Sequence, residues 1–317
     1  MGLSVVCDGS EMAYAPRVFI IIPVFNRVRH TLHCLSAIAR QTYKNHQVVV
    51  VDDGSTDGTY EMVQRAFPEV VLIRGTGALF WTGATNVGLR YALKHARERD
   101  YVLTLNNDTH VYPGYLEGLV RRALANPKSI IGSLCVFMDD PRCIETAGFV
   151  MDWKHCRGIP LVRKGIKKGP QHSGLKEISY TCGKGVLLPI SVFLRVGVYD
   201  EDKFPHYHSD SALTLTAQLN GFKVFTDFES IVLSDRYSTG VGAKPVPVAS
   251  EFVRSFFSVR SSNCLKTRLN FAKTFFPRRK VKFLFEVYTR TIGGFLRRYA
   301  QYHFRNRPGR LGRGDDA

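Results

Sequence analysis

Several common chemical devices are missing from this 317-residue sequence. Its seven cysteines, Cys7, Cys34, Cys135, Cys143, Cys156, Cys182 and Cys264, include no Cys-x-x-Cys pair. Neither a zinc site nor a disulfide framework is therefore expected, and the odd, scattered set fits a reducing compartment. His155-Cys156 near Cys143 is too sparse a cluster to count as a metal site. The first strand-like run leads into Pro23-Val24-Phe25-Asn26-Arg27, with no Gly-x-Gly-x-x-Gly, and no Gly-x-x-x-x-Gly-Lys-Ser/Thr occurs anywhere. A dinucleotide-binding turn and a P-loop are both excluded, so other chemistry must handle any phosphate. No apolar run approaches the roughly 18 residues that a spanning helix requires. The N-terminus, with Asp8 and Glu11, lacks a signal-peptide profile, and a cytoplasmic protein is expected. Acidic residues are scarce, 27 against 44 Lys plus Arg, leaving a formal net charge of +17.

What is present alternates in period. Val18 to Val24, Val48 to Val51, Val70 to Ile73 and Tyr101 to Leu105 are short apolar runs. Thr31 to Ala39, Tyr60 to Phe67 and Ala84 to Arg97 have helical spacing between them. Strands so short and so uniformly apolar are buried on both faces, which predicts an α/β fold with a mainly parallel, twisted sheet flanked by helices. Two acidic clusters sit at strand ends, Val51-Asp52-Asp53-Gly54-Ser55-Thr56-Asp57-Gly58-Thr59 and Leu105-Asn106-Asn107-Asp108-Thr109. Ligands of open α/β sheets bind at the carboxyl ends of strands. Carboxylates there can hold ribose hydroxyls and a hard cation bound to diphosphate, which points to a nucleotide-diphosphate substrate.

With Ile21-Ile22-Pro23-Val24-Phe25-Asn26, Thr82-Gly83-Ala84-Thr85-Asn86-Val87-Gly88, Thr146-Ala147-Gly148, Cys182-Gly183-Lys184-Gly185, Phe204-Pro205-His206-Tyr207-His208-Ser209-Asp210 and Ser238-Thr239-Gly240, these clusters resemble the ordered motifs of family 2 glycosyltransferases. That family has the GT-A fold. Several motifs in one order over about three quarters of the chain carry weight that one would not. The Phe80-Trp81-Thr82-Gly83-Ala84 stretch and the His-Tyr-x-x-Asp ending resemble bacterial rhamnosyltransferase-type enzymes of surface polysaccharide assembly. The resemblance implies a GT-A domain over 15–240 after a segment 1–14, and charge and composition add a basic helical extension over 241–305 and a disordered tail over 306–317.

The resemblance also implies residue roles. Pro23, Phe25, Asn26, Asp52, Asp53, Trp81, Thr82, Gly83, Asn86, Asn106 and Asn107 would hold the nucleotide-sugar. Asp-Gly-Ser-Thr-Asp is equally turn and cap chemistry, with Asp57 a capping residue, and Trp81 could be a core residue. Asn86 is expected to open or line a helix whose N-terminus faces the phosphates. Asn106-Asn107-Asp108 stands where the family has Asp-x-Asp, with asparagine in place of the first acid. Asp108 would then be the metal ligand, and Mg²⁺ or Mn²⁺ would bind mainly through the donor diphosphate. Asp210 would be the catalytic base, with Ser209 replacing the usual Glu and Ala212 a later acid. Gly183, Lys184, His206 and His208 would face the acceptor, and a histidine could orient Asp210 or compete as base.

From Glu251 to Ala317 there are 16 Lys plus Arg and 4 Asp plus Glu, a net of +12. Phe256, Phe257, Phe271, Phe275, Phe276, Phe283, Phe285, Phe295 and Tyr299 interleave with these charges, as in basic helices on an anionic membrane surface. A helical subdomain packing its aromatics on the catalytic core would read the same way. A second basic stretch, Arg157 to Lys176, reads as a surface loop. Nucleic acid is not the expected partner, because no nucleic-acid module is visible and the acidic motifs repel phosphate backbones. The chain lacks the Gln-x-x-Arg-Trp motif and membrane spans usual in processive synthases of the family. The expectation is metal-dependent, inverting transfer of one sugar, from dTDP-rhamnose or a UDP-sugar, to a glycan or lipid-linked acceptor, with peripheral contact at the cytoplasmic face of the inner membrane. A nucleotidyltransferase and a non-catalytic sugar-nucleotide binder are the alternatives.

Overall fold

The computed structural model describes residues 15–235 and 247–305. The segments 1–14 and 306–317, the boundary at 240/241 and the Ser238-Thr239-Gly240 motif lie outside the described residues. The apolar runs form the sheet. β1 (Val18–Val24) is buried along its whole length, and α1 (Val28–Ala39), β2 (His46–Asp52), α2 (Thr59–Ala66), β3 (Val71–Arg74), α3 (Phe80–His95) and β4 (Tyr101–Thr104) complete the alternation. β1 pairs in parallel with β2 and β4, and β2 with β3. Continuous Val and Ile runs suit strands covered on both faces. Cys34, Leu35 and Ile38 of α1 cover one face of β1, and Leu89 and Ala92 of α3 cover the other.

The second half is mixed. It contains β5 (Thr109–Val111), α4 (Tyr115–Ala125), β6 (Ser129–Phe137), β7 (Ile144–Thr146), β8 (Phe149–Asp152), β9 (Arg157–Pro160), β10 (Leu175–Ile178), β11 (Val186–Pro189), α5 (Ile190–Val196), α6 (Ser209–Leu219) and β12 (Lys223–Ser234). The main sheet has ten strands, with the path β10-β12-β6-β11-β4-β1-β2-β3, β5 on β12 and β7 on β6. The parallel arrangement therefore holds from β3 to β4 and again between β6 and β12. β11 runs antiparallel between β4 and β6. Its direction follows from the loop before it. That loop enters at the carboxyl end of β4, where the Gly185 N–H donates to the Thr104 carbonyl (2.9 Å). Gly185 has φ +75°, and a Cβ there would lie 2.5 Å from the Tyr115 hydroxyl. A side chain would block the descent that sets Cys182-Gly183-Lys184 above the Asn106–Asp108 motif.

The C-terminal extension forms α7 (Ala249–Ser255), α8 (Leu265–Phe275) and α9 (Lys280–Arg305). It is not a separate basic arm. Phe271, Phe276 and Phe283 join Met151, Phe204 and Leu215 in one buried cluster, with the Phe271 and Phe283 rings stacked at 5.6 Å. Most of the interleaved aromatics thus belong to packing, and Phe295 is also buried, whereas Phe257 and Phe285 remain exposed. No helix among the described residues is long and apolar enough to cross a membrane. Cys34, Cys135, Cys143, Cys156, Cys182 and Cys264 are free thiols, and no cluster of three or more His, Cys, Asp or Glu residues that could hold a metal occurs among the described residues.

Candidate active site

The strand ends open into a cavity of about 520 Å³. Pro23, Phe25, Asp53, Trp81, Asn106, Asn107, Asp108, Gly183, Lys184, His206, His208 and Asp210 all line it. Asn26, Asp52, Thr82, Gly83 and Asn86 are not among its lining residues, and each is engaged in bonds or packing around it. The Asn26 amide oxygen accepts the Thr56 N–H (2.9 Å), and the Asn26 N–H donates to Ser55 Oγ (2.7 Å), tying the loop after β1 to the loop after β2. Asp52 Oδ1 accepts the Ser55 N–H (2.7 Å) in that same turn. Thr82 donates to the Phe204 carbonyl (2.6 Å), and buried Gly83 packs at Leu79 and Glu201. Asn86 lies in the second turn of α3, not at its opening. Its amide grips the Tyr199 backbone, donating to the carbonyl (2.8 Å) and accepting the N–H (3.1 Å).

Asp53 unites the two readings of its motif. It borders the cavity, yet its carboxylate accepts three backbone N–H groups, from Gly77 (2.8 Å), Leu79 (2.9 Å) and Phe80 (3.0 Å). These are donors that the start of α3 would otherwise leave unsatisfied, and a carboxylate suits the positive end of a helix dipole. The helix consequently starts at Phe80 instead of Ala84, bringing Trp81 into its first turn. Asp57 behaves as a capping residue, accepting the Thr59 N–H (3.2 Å) before α2 and the Val28 N–H (3.0 Å) at α1.

Asn106, Asn107 and Asp108 follow β4 and meet the cavity together. The Asn106 amide oxygen accepts the Trp81 indole N–H (2.9 Å), and Asn107 donates to Thr31 Oγ1 (3.0 Å). The buried Asp108 carboxylate lies 3.4 Å from the Arg27 guanidinium. One carboxylate among amide oxygens fits a hard cation that brings diphosphate oxygens as its other ligands. It does not make a cage that the protein completes alone.

Asp210 stands in the first turn of α6. One carboxylate oxygen accepts the Gly183 N–H (2.7 Å) and the other the Ser211 N–H (2.7 Å). Burial raises its carboxyl above the ordinary value, while the Ser211 and Gly183 donors oppose that shift. Gly183 must be small, because a Cβ there would come 2.7 Å from the Trp81 ring. Trp81 thus packs beneath the Gly183 backbone, its edge toward Tyr199 at 5.7 Å, and is both a packing residue and part of the cavity wall.

The other acceptor-side candidates differ in what they can do. Lys184 is held by Glu145 (3.2 Å) and Ser234 Oγ (2.7 Å); burial works against its charge, but Glu145, Asp108, Cys135 and Cys182 together outweigh it and keep the ammonium protonated. His206 Nδ1 accepts the Trp81 N–H (3.4 Å), and burial, with Arg260 nearby, pushes its pKa to about 4. His208 is driven to about 3 by burial and the Arg268 charge. Its Nε2 lies 3.1 Å from the Ser262 carbonyl. Since a carbonyl only accepts, His208 is the Nε2-protonated neutral tautomer. His208 thus lines the cavity and at the same time ties the start of α6 to the loop before α8.

Arg27, Phe80, Cys182, Tyr207, Ser211 and Arg260 also line the cavity and were not singled out by sequence. Arg27, Cys182, Tyr207 and Ser211 lie inside or beside motifs already named. Arg260 had no such signal, because it comes from the extension. Arg27 (φ 67°), Phe80 (φ 54°) and His208 (φ 72°) have left-handed backbones, and all three reach the cavity. Such strain persists only where surrounding structure fixes it, and it concentrates at functional sites.

Comparison with known proteins agrees with this geometry. A sequence profile described as glycosyl transferase family 2 matches residues 19–193. An uncharacterised glycosyltransferase of Rickettsia typhi is 24% identical over 203 residues, 62% of this chain and 58% of that protein. The chain therefore spans little more than half of that relative's length. Among solved structures, TarS 1-349 of S. aureus in complex with UDP-GlcNAc aligns with a TM-score of 0.56 at 16% identity, covering 92% of this chain and 74% of that one. GalNAc-T7, solved with UDP, GalNAc and Mn²⁺, aligns with a TM-score of 0.55 at 13% identity, covering 69% and 44%. At such identities the likeness is one of fold.

Proposed function

We propose, on the premise that this chain belongs to glycosyl transferase family 2, that it moves a single sugar with inversion from a nucleotide-diphosphate sugar to a glycan or lipid-linked acceptor. dTDP-rhamnose or a UDP-sugar is the donor class, and surface polysaccharide synthesis is the setting. The observation that carries this reading is the convergence on one cavity of Phe25 and Asp53 from β1 and β2, Asn106 to Asp108 from β4, and Asp210 from α6. The acceptor hydroxyl oxygen attacks the anomeric carbon, the bond from that carbon to the diphosphate oxygen breaks, and Asp210 takes the hydroxyl proton. The Gly183 and Ser211 N–H groups hold the carboxylate in one orientation for that transfer. Asp108 would hold Mg²⁺ or Mn²⁺, with the Asn106–Asn107 backbone placing it. When bound, the cation neutralises charge that develops on the departing diphosphate. Neutral His206, whose Nδ1 accepts the Trp81 N–H, can donate a hydrogen bond from Nε2–H to a sugar hydroxyl.

The test is release of product from a panel of UDP-, GDP- and dTDP-sugars with Mn²⁺ and acceptor. Nucleoside diphosphate is expected. Pyrophosphate would instead indicate a nucleotidyltransferase, and binding with no release would indicate a sugar-nucleotide binder; either overturns the reading. Asp108→Ala is expected to lose metal-dependent nucleoside-diphosphate binding by at least tenfold while remaining folded, since each tenfold corresponds to about 1.4 kcal/mol of a lost charged contact. Calorimetric titration with and without Mn²⁺ checks this, and unchanged metal-dependent affinity would remove Asp108 as the ligand.

A cytoplasmic location with peripheral contact at the membrane is part of the proposal. Val281, Phe285, Ile292 and Leu296 recur at intervals of four, seven and four along α9, which puts them on one side of the helix, and all are exposed. Exposed Lys280, Lys282, Arg290, Arg297 and Arg298 flank them. An anionic surface would take both features. Deleting the whole extension would strip the buried Phe271–Phe276–Phe283 packing, so the informative change is Val281→Gln with Phe285→Gln, at positions 74% and 70% exposed. Sedimentation with anionic vesicles at low salt is expected to fall about tenfold, given roughly 1.5–3 kcal/mol for fully burying one such side chain. Equal sedimentation of variant and wild type would remove this face from membrane contact.

A further inference from the structure

Three cations line the cavity, Arg27, Lys184 and Arg260. Arg27 lies against Asp108 and Lys184 against Glu145, each within 3.4 Å. Arg260 has no carboxylate partner among the described residues. Its guanidinium instead lies 5.6 Å from the centroid of the Phe25 ring and 5.4 Å from that of Phe80. Cation–π contact with two aromatic rings positions a guanidinium while leaving its N–H donors for a ligand. Phe25 ends the β1 motif and Phe80 opens the helix that Asp53 caps, so Arg260 stands over the strand-end side of the cavity.

The loop that carries it is built. The Ser262 carbonyl receives the His208 Nε2–H (3.1 Å) and the Arg268 Nε–H (2.9 Å). The Asn263 carbonyl accepts the Tyr288 hydroxyl (3.0 Å), and the Asn263 amide donates to Ser255 Oγ (3.1 Å). α6, α7, α8 and α9 thus all hold one short turn at the cavity mouth.

We infer that Arg260 is the phosphate-binding residue that the C-terminal extension contributes to the active site, its guanidinium pairing with non-bridging diphosphate oxygens. A planar fork of N–H donors matches phosphate oxygens in pairs, and an otherwise unpaired cation beside a cavity gains most from such an anion. The inference rests on the transferase reading above. A diphosphate enters such a site from two sources, the donor nucleotide or a lipid-linked acceptor, and the experiment separates them.

Calorimetric titrations of wild type, Arg260→Gln and Arg260→Lys would use UDP, dTDP, inorganic pyrophosphate, uridine, thymidine and farnesyl diphosphate as probes. With the donor as source, Arg260→Gln weakens UDP or dTDP, and pyrophosphate, at least tenfold and leaves the nucleosides unchanged, and Arg260→Lys recovers part of the loss through charge without the fork. With the acceptor as source, only farnesyl diphosphate and pyrophosphate weaken. Unchanged affinity for every diphosphate overturns the inference, as does an equal loss for nucleosides and nucleoside diphosphates, which would make Arg260 a base-stacking residue. A wild type that binds none of the nucleotides overturns the transferase reading and this inference with it. A wild type that binds them with affinities both variants retain overturns this inference alone.

Discussion

Asp210→Asn is expected to lower turnover by about 10² to 10⁴, the usual range for loss of a general base, with nucleoside-diphosphate affinity within about twofold of wild type. Asparagine keeps the shape but offers one oxygen where two now accept the Gly183 and Ser211 N–H groups. One donor loses its partner, a cost of about 1–3 kcal/mol that removal of a buried charge offsets in part. The pH profile adds a second readout. Burial raises the Asp210 carboxyl above 3.8, and the base acts only when ionised. Turnover of wild type therefore falls as pH drops through that raised value, and the variant's residual turnover should lose this acidic limb. The sign for stability is opposite to that of a salt-bridged acid. A raised folded-state pKa favours the native state when the group is protonated, and the benefit fades as pH rises through it. Near-normal turnover in Asp210→Asn, or an acidic limb that survives in it, would place the base elsewhere. His208→Ala is not a clean rival test, because His208 holds the Ser262 carbonyl and its loss acts through the Arg260 loop.

Asp53→Ala should be the most destabilising single change at the site. Three backbone N–H groups lose a charged acceptor at the partly buried start of α3, a loss of about 3–5 kcal/mol. For a chain of this size that corresponds to a melting temperature lower by about 10 °C. Donor binding should fall with it, since Phe80 and Trp81 take their positions from that helix start. Thermal unfolding alongside nucleotide titration checks the order of effects. Full stability with lost nucleotide affinity would make Asp53 a ligand contact whose backbone bonds are incidental.

Both expectations rest on features of unequal legibility. The β-α-β alternation from Val18 to Tyr101 could be read from period alone, because strands buried on both faces leave no polar residue to interrupt Val48 to Val51. The motif residues at strand ends were likewise visible, since parallel strands bring their carboxyl ends to one edge wherever they occur. The hydrogen-bond partners of Thr82 and Asn86 were not legible, for a physical reason. Both residues fall within a motif, but side-chain direction on a helix depends on where the helix begins, and α3 starts four residues earlier than its apolar spacing indicated because Asp53 caps it.

The sequence by itself determined the fold class, the family and the strand ends where the chemistry gathers, because apolar periodicity and motif order are local properties of the chain. Only the tertiary structure decided what the side chains do there. Asp53 and Asp210 are held by backbone donors 24 and 27 residues away. His208 is neutral because α8 and its loop close over it. The basic extension supplies both a core of phenylalanines and Arg260 at the cavity mouth. Charge and aromatic content cannot distinguish a buried ring from an exposed one, nor bring residue 260 beside residue 25. Those assignments depend on which surfaces meet, and that is settled by packing between segments far apart in the chain.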